Sequence, residues 1–261
     1  MVNLTLAICA FALQWILSGV AALPYTSGIP YRTKKGHAHP NTALLIVDVQ
    51  YDFINGTLGN ERAYSILPTI YDLLDNHTWS LIATSQDWHP EGHVSFASAH
   101  EGKKPGDVIQ TPLLASRYNE TAMQALYNDH CVPGTVGAQI EEGVQTRIDT
   151  LMGTTPITQI HKAQNHLVDS YSAFADNQYY EFTVLGPEMR AHGITDIVVV
   201  GLITNACVYG STVDGIKMGW DVTVISDGVE TTSQAEQDEA LEELRTWWGA
   251  NIVSLSEFES T

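Results

Sequence analysis

The sequence predicts an α/β fold: a doubly wound, mostly parallel six-stranded sheet flanked by helices. Three observations predict it. Six short apolar runs recur at 43–47, 80–84, 156–160, 196–200, 222–225 and 251–254. They are continuous rather than alternating, as strands buried on both faces are. Helical periodicity fills the gaps between them, near 63–76, 140–152, 187–192, 207–218 and 234–248. That βαβα order implies parallel strands joined by helical crossovers. Finally, 261 residues with 44% apolar content suit one large domain with a full core.

The chain begins with a targeting pattern. Residues 4–20 are nearly all apolar, no charged side chain precedes Arg32, and the small residues Val20, Ala21 and Ala22 close the run. This reads as a secretory signal peptide over 1–22, cleaved near Ala22, although it lacks a basic start. The competing reading is a retained membrane anchor, for which the run is borderline in length. Residues 23–41 mix Gly, Pro, basic residues and two histidines, and read as an exposed arm. The α/β domain follows over 42–261. Asn55, Asn76 and Asn119 each open an N-glycosylation acceptor triplet, consistent with a secreted, extracellular glycoprotein.

Along the domain, the helical stretches end where Gly193, Gly219 and Gly249 supply stop signals. The segment 89–137 has weak periodicity, and a loop that long is usually functional. The formal net charge of −18 argues against nucleic acid as a partner. Of three cysteines, Cys9 falls in the signal. Cys131 and Cys207 are too few for a disulfide scaffold. Either they form one bridge or at least one is a functional thiol.

In an open parallel sheet, ligands bind at the carboxyl ends of the strands. Asp48 follows the first strand, Asp87 and His89 the second, Lys162 the third and Cys207 the fourth. A carboxylate, an Asp–His cluster, a lysine and a thiol therefore share one rim. Singly, each has a plain structural explanation; a lone Cys is usually a small buried hydrophobe. Together they describe amide hydrolysis. Cys207 opens a helix, and that N-terminus plus the Lys162 ammonium are expected to lower the thiol pKa. Asp48 can deliver a proton to a leaving nitrogen and later take one from water. The first helical turn offers backbone N–H groups to an oxyanion. Asp87, His89 and His93, with His130 as a further nitrogen, suit a divalent ion such as zinc or iron.

The stretches DVQYDF (48–53), QDWHPEGHVSFA (86–97), DHCVPGTVGAQI (129–140), DSYSAF (169–174) and GLITNACV (201–208) resemble those of nicotinamidases (pyrazinamidases) in the isochorismatase-like cysteine hydrolase superfamily. The resemblance implies a triad of Asp48, Lys162 and Cys207, and an oxyanion hole from the N–H groups of Ile203 and Cys207 beside a cis Leu202–Ile203 peptide. It implies metal ligation by Asp87, His89 and His130, with His93 a fourth ligand or a supporting partner. The one divalent ion would be zinc, ahead of iron or manganese. Phe53, Trp88, Tyr127 and Tyr171 would pack around a pyridine ring whose nitrogen meets that ion. Nicotinamide would become nicotinate and ammonia through a Cys207 thioester. The partner is then a small amide, nicotinamide or pyrazinamide-like, with no nucleic acid and no membrane after signal cleavage; a homo-oligomer is compatible.

The chain departs from the family pattern at Tyr51 (usually Asn), Ala163 (usually Gly), Asn205 (usually acidic) and Tyr127-Asn128 (often Trp-Pro). None of these removes a catalytic group. Two other readings stand beside the leading one. The substrate could be another small amide or carbamoyl compound. Or the chain could be a non-catalytic secreted glycoprotein with a Cys131–Cys207 disulfide.

Overall fold

Each of the six apolar runs forms a strand of one sheet in a computed structural model, which describes residues 37–260. The expected signal peptide and residues 23–36 of the expected arm lie outside the described residues. In chain order come β1 (His37–Val47), α1 (Tyr51–Ile54), a 3-10 turn (Glu61–Ile66) running into α2 (Leu67–Asn76), and β2 (His77–Asp87). β3 (Val108–Pro112), β4 (Thr121–Ala125), α3 (Glu142–Leu151), β5 (Ile157–Lys162) and α4 (Leu185–Ala191) follow. Then come β6 (Asp196–Leu202), a π-helical turn (Thr204–Val208), α5 (Tyr209–Lys217), β7 (Asp221–Glu230), α6 (Gln234–Trp247), β8 (Asn251–Val253) and α7 (Leu255–Phe258).

The main sheet runs β5-β2-β1-β6-β7-β8, and every neighbouring pair is parallel. The chain winds outward from β1 in one direction and from β6 in the other. The switch between these two strands opens a crevice at their carboxyl ends, where such sheets bind ligands. Apolar residues alternate between two cores. Ala43, Leu45 and Val47 point to one face with Cys207 and Val208, while Leu44 and Ile46 point to the other with Cys131 and Ile70.

The structure corrects the expected arm. Residues 37–41 are the first part of β1, paired with β2 from His37 opposite His77. Their side chains explain it: His39 stacks on Trp79 with centroids 4.5 Å apart. The long segment 89–137 is also not one loop, because β3 and β4 form an antiparallel pair within it. No helix among the described residues is long and apolar enough to cross a membrane. Of the three acceptor asparagines, Asn55 and Asn119 are exposed. Asn76 is half-buried and donates to Asp72.

Candidate active site

The rim is built by backbone register. β1 and β6 run side by side to Val47 opposite Gly201. Gly201 has φ +125°, and a Cβ there would collide with the Val47 backbone. Only glycine allows the two strands to end this close. Asp48 follows with φ +47°, a left-handed conformation that costs a non-glycine residue about 1 kcal/mol or more. On the other side, Asp87 and Lys162 are register neighbours at the ends of β2 and β5. The Gln50 side chain fixes the Asp87 backbone, donating to its carbonyl at 2.9 Å and accepting from its N–H at 2.8 Å.

Lys162 is fully buried at the centre. Its Nζ lies 2.9 Å from Asp48 Oδ2, 2.8 Å from the Ser170 carbonyl and 3.4 Å from Cys207 Sγ, and it donates to Asp87 Oδ1. Burial disfavours the ammonium, but Asp48, Asp87 and Cys207 outweigh it and hold the Lys162 pKa well above its ordinary value. Asp87 is pushed the other way. Burial would raise it, and Lys162, His89 and His130 together bring it below the usual carboxylate range. Asp48 is raised: burial dominates over the lowering effect of Lys162. Ser85 donates to Asp48 Oδ1 at 2.7 Å.

Cys207 corrects a sequence expectation. It does not open a helix; it is the fourth residue of the π-helical turn that precedes α5. Its thiol pKa is raised well above the ordinary value. Burial is the largest cause, and the lowering effect of Lys162 does not overcome it. The thiol therefore rests protonated and needs a base. Asp48 is within reach: oxygens of Asp48 and Asp87 and the Cys207 sulfur all lie within 4.8 Å of one another. Both described cysteines are free, on opposite faces of the sheet, so no Cys131–Cys207 disulfide forms. The Leu202–Ile203 peptide is cis.

Asp87, His89 and His130 bring donor atoms within 4.8 Å of one another, all three residues buried. The set fits a divalent cation. His89 Nδ1 is buried without a hydrogen-bond partner, while its Nε2 is held by Asp169 at 3.1 Å. His130 Nδ1 is held by the Asn128 carbonyl at 2.8 Å, leaving Nε2 toward Asp87. Each imidazole thus has one nitrogen fixed by an outer partner and one facing the carboxylate, as ligating histidines have. Burial disfavours a charge on His89, but Asp87 and Asp169 raise its pKa, so the group attracts positive charge.

Cys207 and the three donor residues open into one cavity of about 470 Å³, a small-molecule size. Phe53, Tyr127, Tyr171 and Ile203 line it. The two tyrosine hydroxyls are 3.0 Å apart. Residues 42–257 match the isochorismatase domain. The chain belongs to the isochorismatase family. It is 34% identical to the Escherichia coli nicotinamidase, over 85% of this chain and 99% of that one. Its fold superposes on the yeast nicotinamidase bound to the inhibitor nicotinaldehyde with a TM-score of 0.76, at 25% identity, covering 82% of this chain and 99% of that one. It also superposes on the Pyrococcus horikoshii pyrazinamidase in complex with zinc with a TM-score of 0.60, at 25% identity and 83% and 100% coverage. Within the isochorismatase family, the chain is an amidohydrolase of the nicotinamidase branch.

Against this isochorismatase-family frame, the site residues expected from sequence divide clearly. Asp48, Lys162 and Cys207 meet, as do Asp87, His89 and His130. His93 does not join the latter group. Its nitrogens engage Ser95 at 2.8 Å and the Val168 carbonyl at 3.2 Å, and its ring packs on His89 with Asp169 nearby. Trp88 is not in the cavity lining; its ring lies flat on His161, 4.0 Å between centroids. Two consecutive residues at the end of a strand point to opposite faces, so Trp88 turns away where Asp87 turns in. Tyr51 also lies outside the cavity, its hydroxyl accepting from the Glu142 N–H. Ala163 has φ +56°, which explains why glycine is usual there. Sequence reasoning missed Asp169, Ser85 and Gln50. Asp169 and Gln50 stand in the DSYSAF and DVQYDF stretches, so their place in those stretches was the available signal.

Proposed function

We propose that the protein hydrolyses nicotinamide to nicotinate and ammonia through a thioester on Cys207, with one divalent ion, zinc foremost, held by Asp87, His89 and His130. The observation that carries this reading is a single one. Cys207, backed by buried Lys162 and Asp48, opens into the same cavity as the donor triple, Phe53, Tyr127 and Tyr171. When bound, the ion supplies a Lewis-acid anchor for a ring nitrogen. The aromatic side chains suit a flat heteroaromatic ring, and Cys207 in the same lining is placed to meet its carboxamide.

Asp48 takes the thiol proton as the Cys207 sulfur bonds to the amide carbon. The resulting oxyanion is received by the N–H groups of Ile203 and Cys207. Asp48 then gives that proton to the amide nitrogen, the C–N bond breaks and ammonia leaves. In the second half, Asp48 removes a proton from water, whose oxygen attacks the thioester carbon. The C–S bond breaks and the proton returns to the sulfur. Lys162 keeps Asp48 in place and offsets its charge through both halves. The raised pKa of Asp48 suits a group that must hold a proton in passing.

Product analysis tests the proposal. Nicotinamide should give nicotinate and ammonia in equal amounts, aliphatic amides far less, and chelator should remove the activity. Preference for an aliphatic or carbamoyl compound would replace nicotinamide with the alternative substrate class. Secretion is part of the same proposal, supported by the apolar run at 4–20 and by exposed Asn55 and Asn119. Expression in a eukaryotic host should yield extracellular protein beginning near Leu23, and protein retained in cells with its first residues intact would refute it.

A further inference from the structure

At the opposite end of the sheet, β1 and β2 begin side by side with His37 next to His77. β2 is 11 residues long, so at about 3.3 Å per residue its two ends lie about 33 Å apart. Here the helix α2, the strand β2 and the chain just after α7 converge on one imidazole. His77 Nε2 lies 3.6 Å from Asp72 Oδ2 and 3.5 Å from Glu259 Oε1. Donor atoms of all three residues lie within 4.8 Å of one another. The His77 side chain has no exposure, yet Nε2 has no hydrogen-bond partner.

Both separations exceed a good hydrogen bond, which spans about 2.7–3.2 Å. They match instead the spacing of atoms bound to one ion. Bonds of about 2.0–2.2 Å at tetrahedral angles put neighbouring donors about 3.3–3.6 Å apart. The rest of the ring is arranged as a ligating histidine requires. His77 Nδ1 is 2.9 Å from His39 Nε2, which fixes the ring and leaves Nε2 toward the carboxylates. His39 itself packs on Trp79 and Phe258, with centroids 4.5 and 4.9 Å away. Asp72 Oδ1 accepts from Asn76, so Oδ2 is the oxygen that faces His77.

We propose that His77, Asp72 and Glu259 form a second divalent-cation site, of the nitrogen-and-oxygen type that takes zinc or a similar first-row ion. The carboxylates are 35% and 36% exposed, which leaves the ion a route in and room for water as a further ligand. The site joins the end of the chain to the start of the sheet. Its effect is on stability, since an ion that binds only the folded state stabilises it.

Metal counting tests the site independently of catalysis. Chelator-stripped protein is equilibrated with excess Zn²⁺, washed and analysed for zinc beside a D72N/E259Q double variant. Wild type should retain one more equivalent than the variant, whatever the active site holds. Zn²⁺ should raise the melting temperature of wild type more than that of the variant, and amide turnover should be equal in the two. Equal zinc counts would overturn the site. Should the double variant fold poorly, E259Q alone is titrated with Co²⁺. At least tenfold weaker binding of one equivalent is expected, and unchanged binding overturns the proposal.

Discussion

Replacing Lys162 with Met removes the one ammonium that faces both Asp48 and Asp87. The wild-type Nζ is fully buried and lies 2.9 Å from Asp48 Oδ2. With an effective dielectric of about 20, that pair alone attracts by about 6 kcal/mol. Desolvation cancels much of this, but deleting one partner leaves the other charge buried and alone, at a cost of about 3–5 kcal/mol. Total stability is typically about 5–15 kcal/mol, so the loss should be plain in urea unfolding. The pH dependence carries the sign. Burial already raises Asp48 above its ordinary 3.8, and without Lys162 it rises further. A carboxyl raised in the folded state is unfavourable above its folded pKa and harmless below the unfolded one. Asp87 in wild type is lowered, so its contribution is lost as pH falls through and below 3.8. The Asp48 effect therefore narrows the gap between the two proteins from pH 7 to pH 4.5, and loss of the Asp87 contribution narrows it further only below 3.8. Urea midpoints measured in chelator at both pH values give the result. A gap under about 1 kcal/mol at pH 7, or one that does not narrow, would refute the electrostatic reasoning.

Other consequences follow from single residues. Ala163→Gly should stabilise the protein by about 1 kcal/mol, because Ala163 sits at φ +56°; a lower melting temperature would show that the left-handed turn is not strained. Iodoacetamide should alkylate Cys207 slowly at pH 7 and faster up to and beyond pH 9, since burial raises the thiol pKa. A rate that levels off below pH 7 would mean a preformed thiolate. Burial lowers the His161 pKa below 6.5, so the folded state resists its protonation. Stability should therefore drop as pH falls below about 6.5, and less so in His161→Phe, which keeps the stacking on Trp88. Equal pH profiles for the two proteins would contradict this.

The sheet was legible because parallel strands buried on both faces leave continuous apolar runs, and all six runs proved to be its strands. Residues 37–41 were not, because histidines carry no apolar signal and this segment joins β1 by pairing with β2. The β3–β4 pair escaped for a similar reason: a short antiparallel pair outside the main core has mixed polarity. Asp48, Asp87, Lys162 and Cys207 could be placed at one rim from strand order alone. Their protonation could not. It depends on burial and on how many charges surround Lys162, which is why the thiol of Cys207 was expected low and is found high. Trp88 was placed in the pocket because sequence neighbours of ligands look alike, and only side-chain direction separates it from Asp87 and His89; of the two roles open to His93, its packing on His89 fits the supporting one. Asp169 gave no sign beyond its place in a familiar stretch, since a carboxylate that orients His89 is recognised by geometry.

Trapping the acyl-enzyme tests the central claim most directly. The protein is mixed with nicotinamide, quenched in acid within the first turnovers, and digested for mass analysis. A nicotinoyl group should appear on the peptide containing Cys207 and nowhere else, and should be absent from Cys207→Ala, which should also release no ammonia. Turnover that persists in Cys207→Ala, or an acyl group carried on Cys131, would contradict the account.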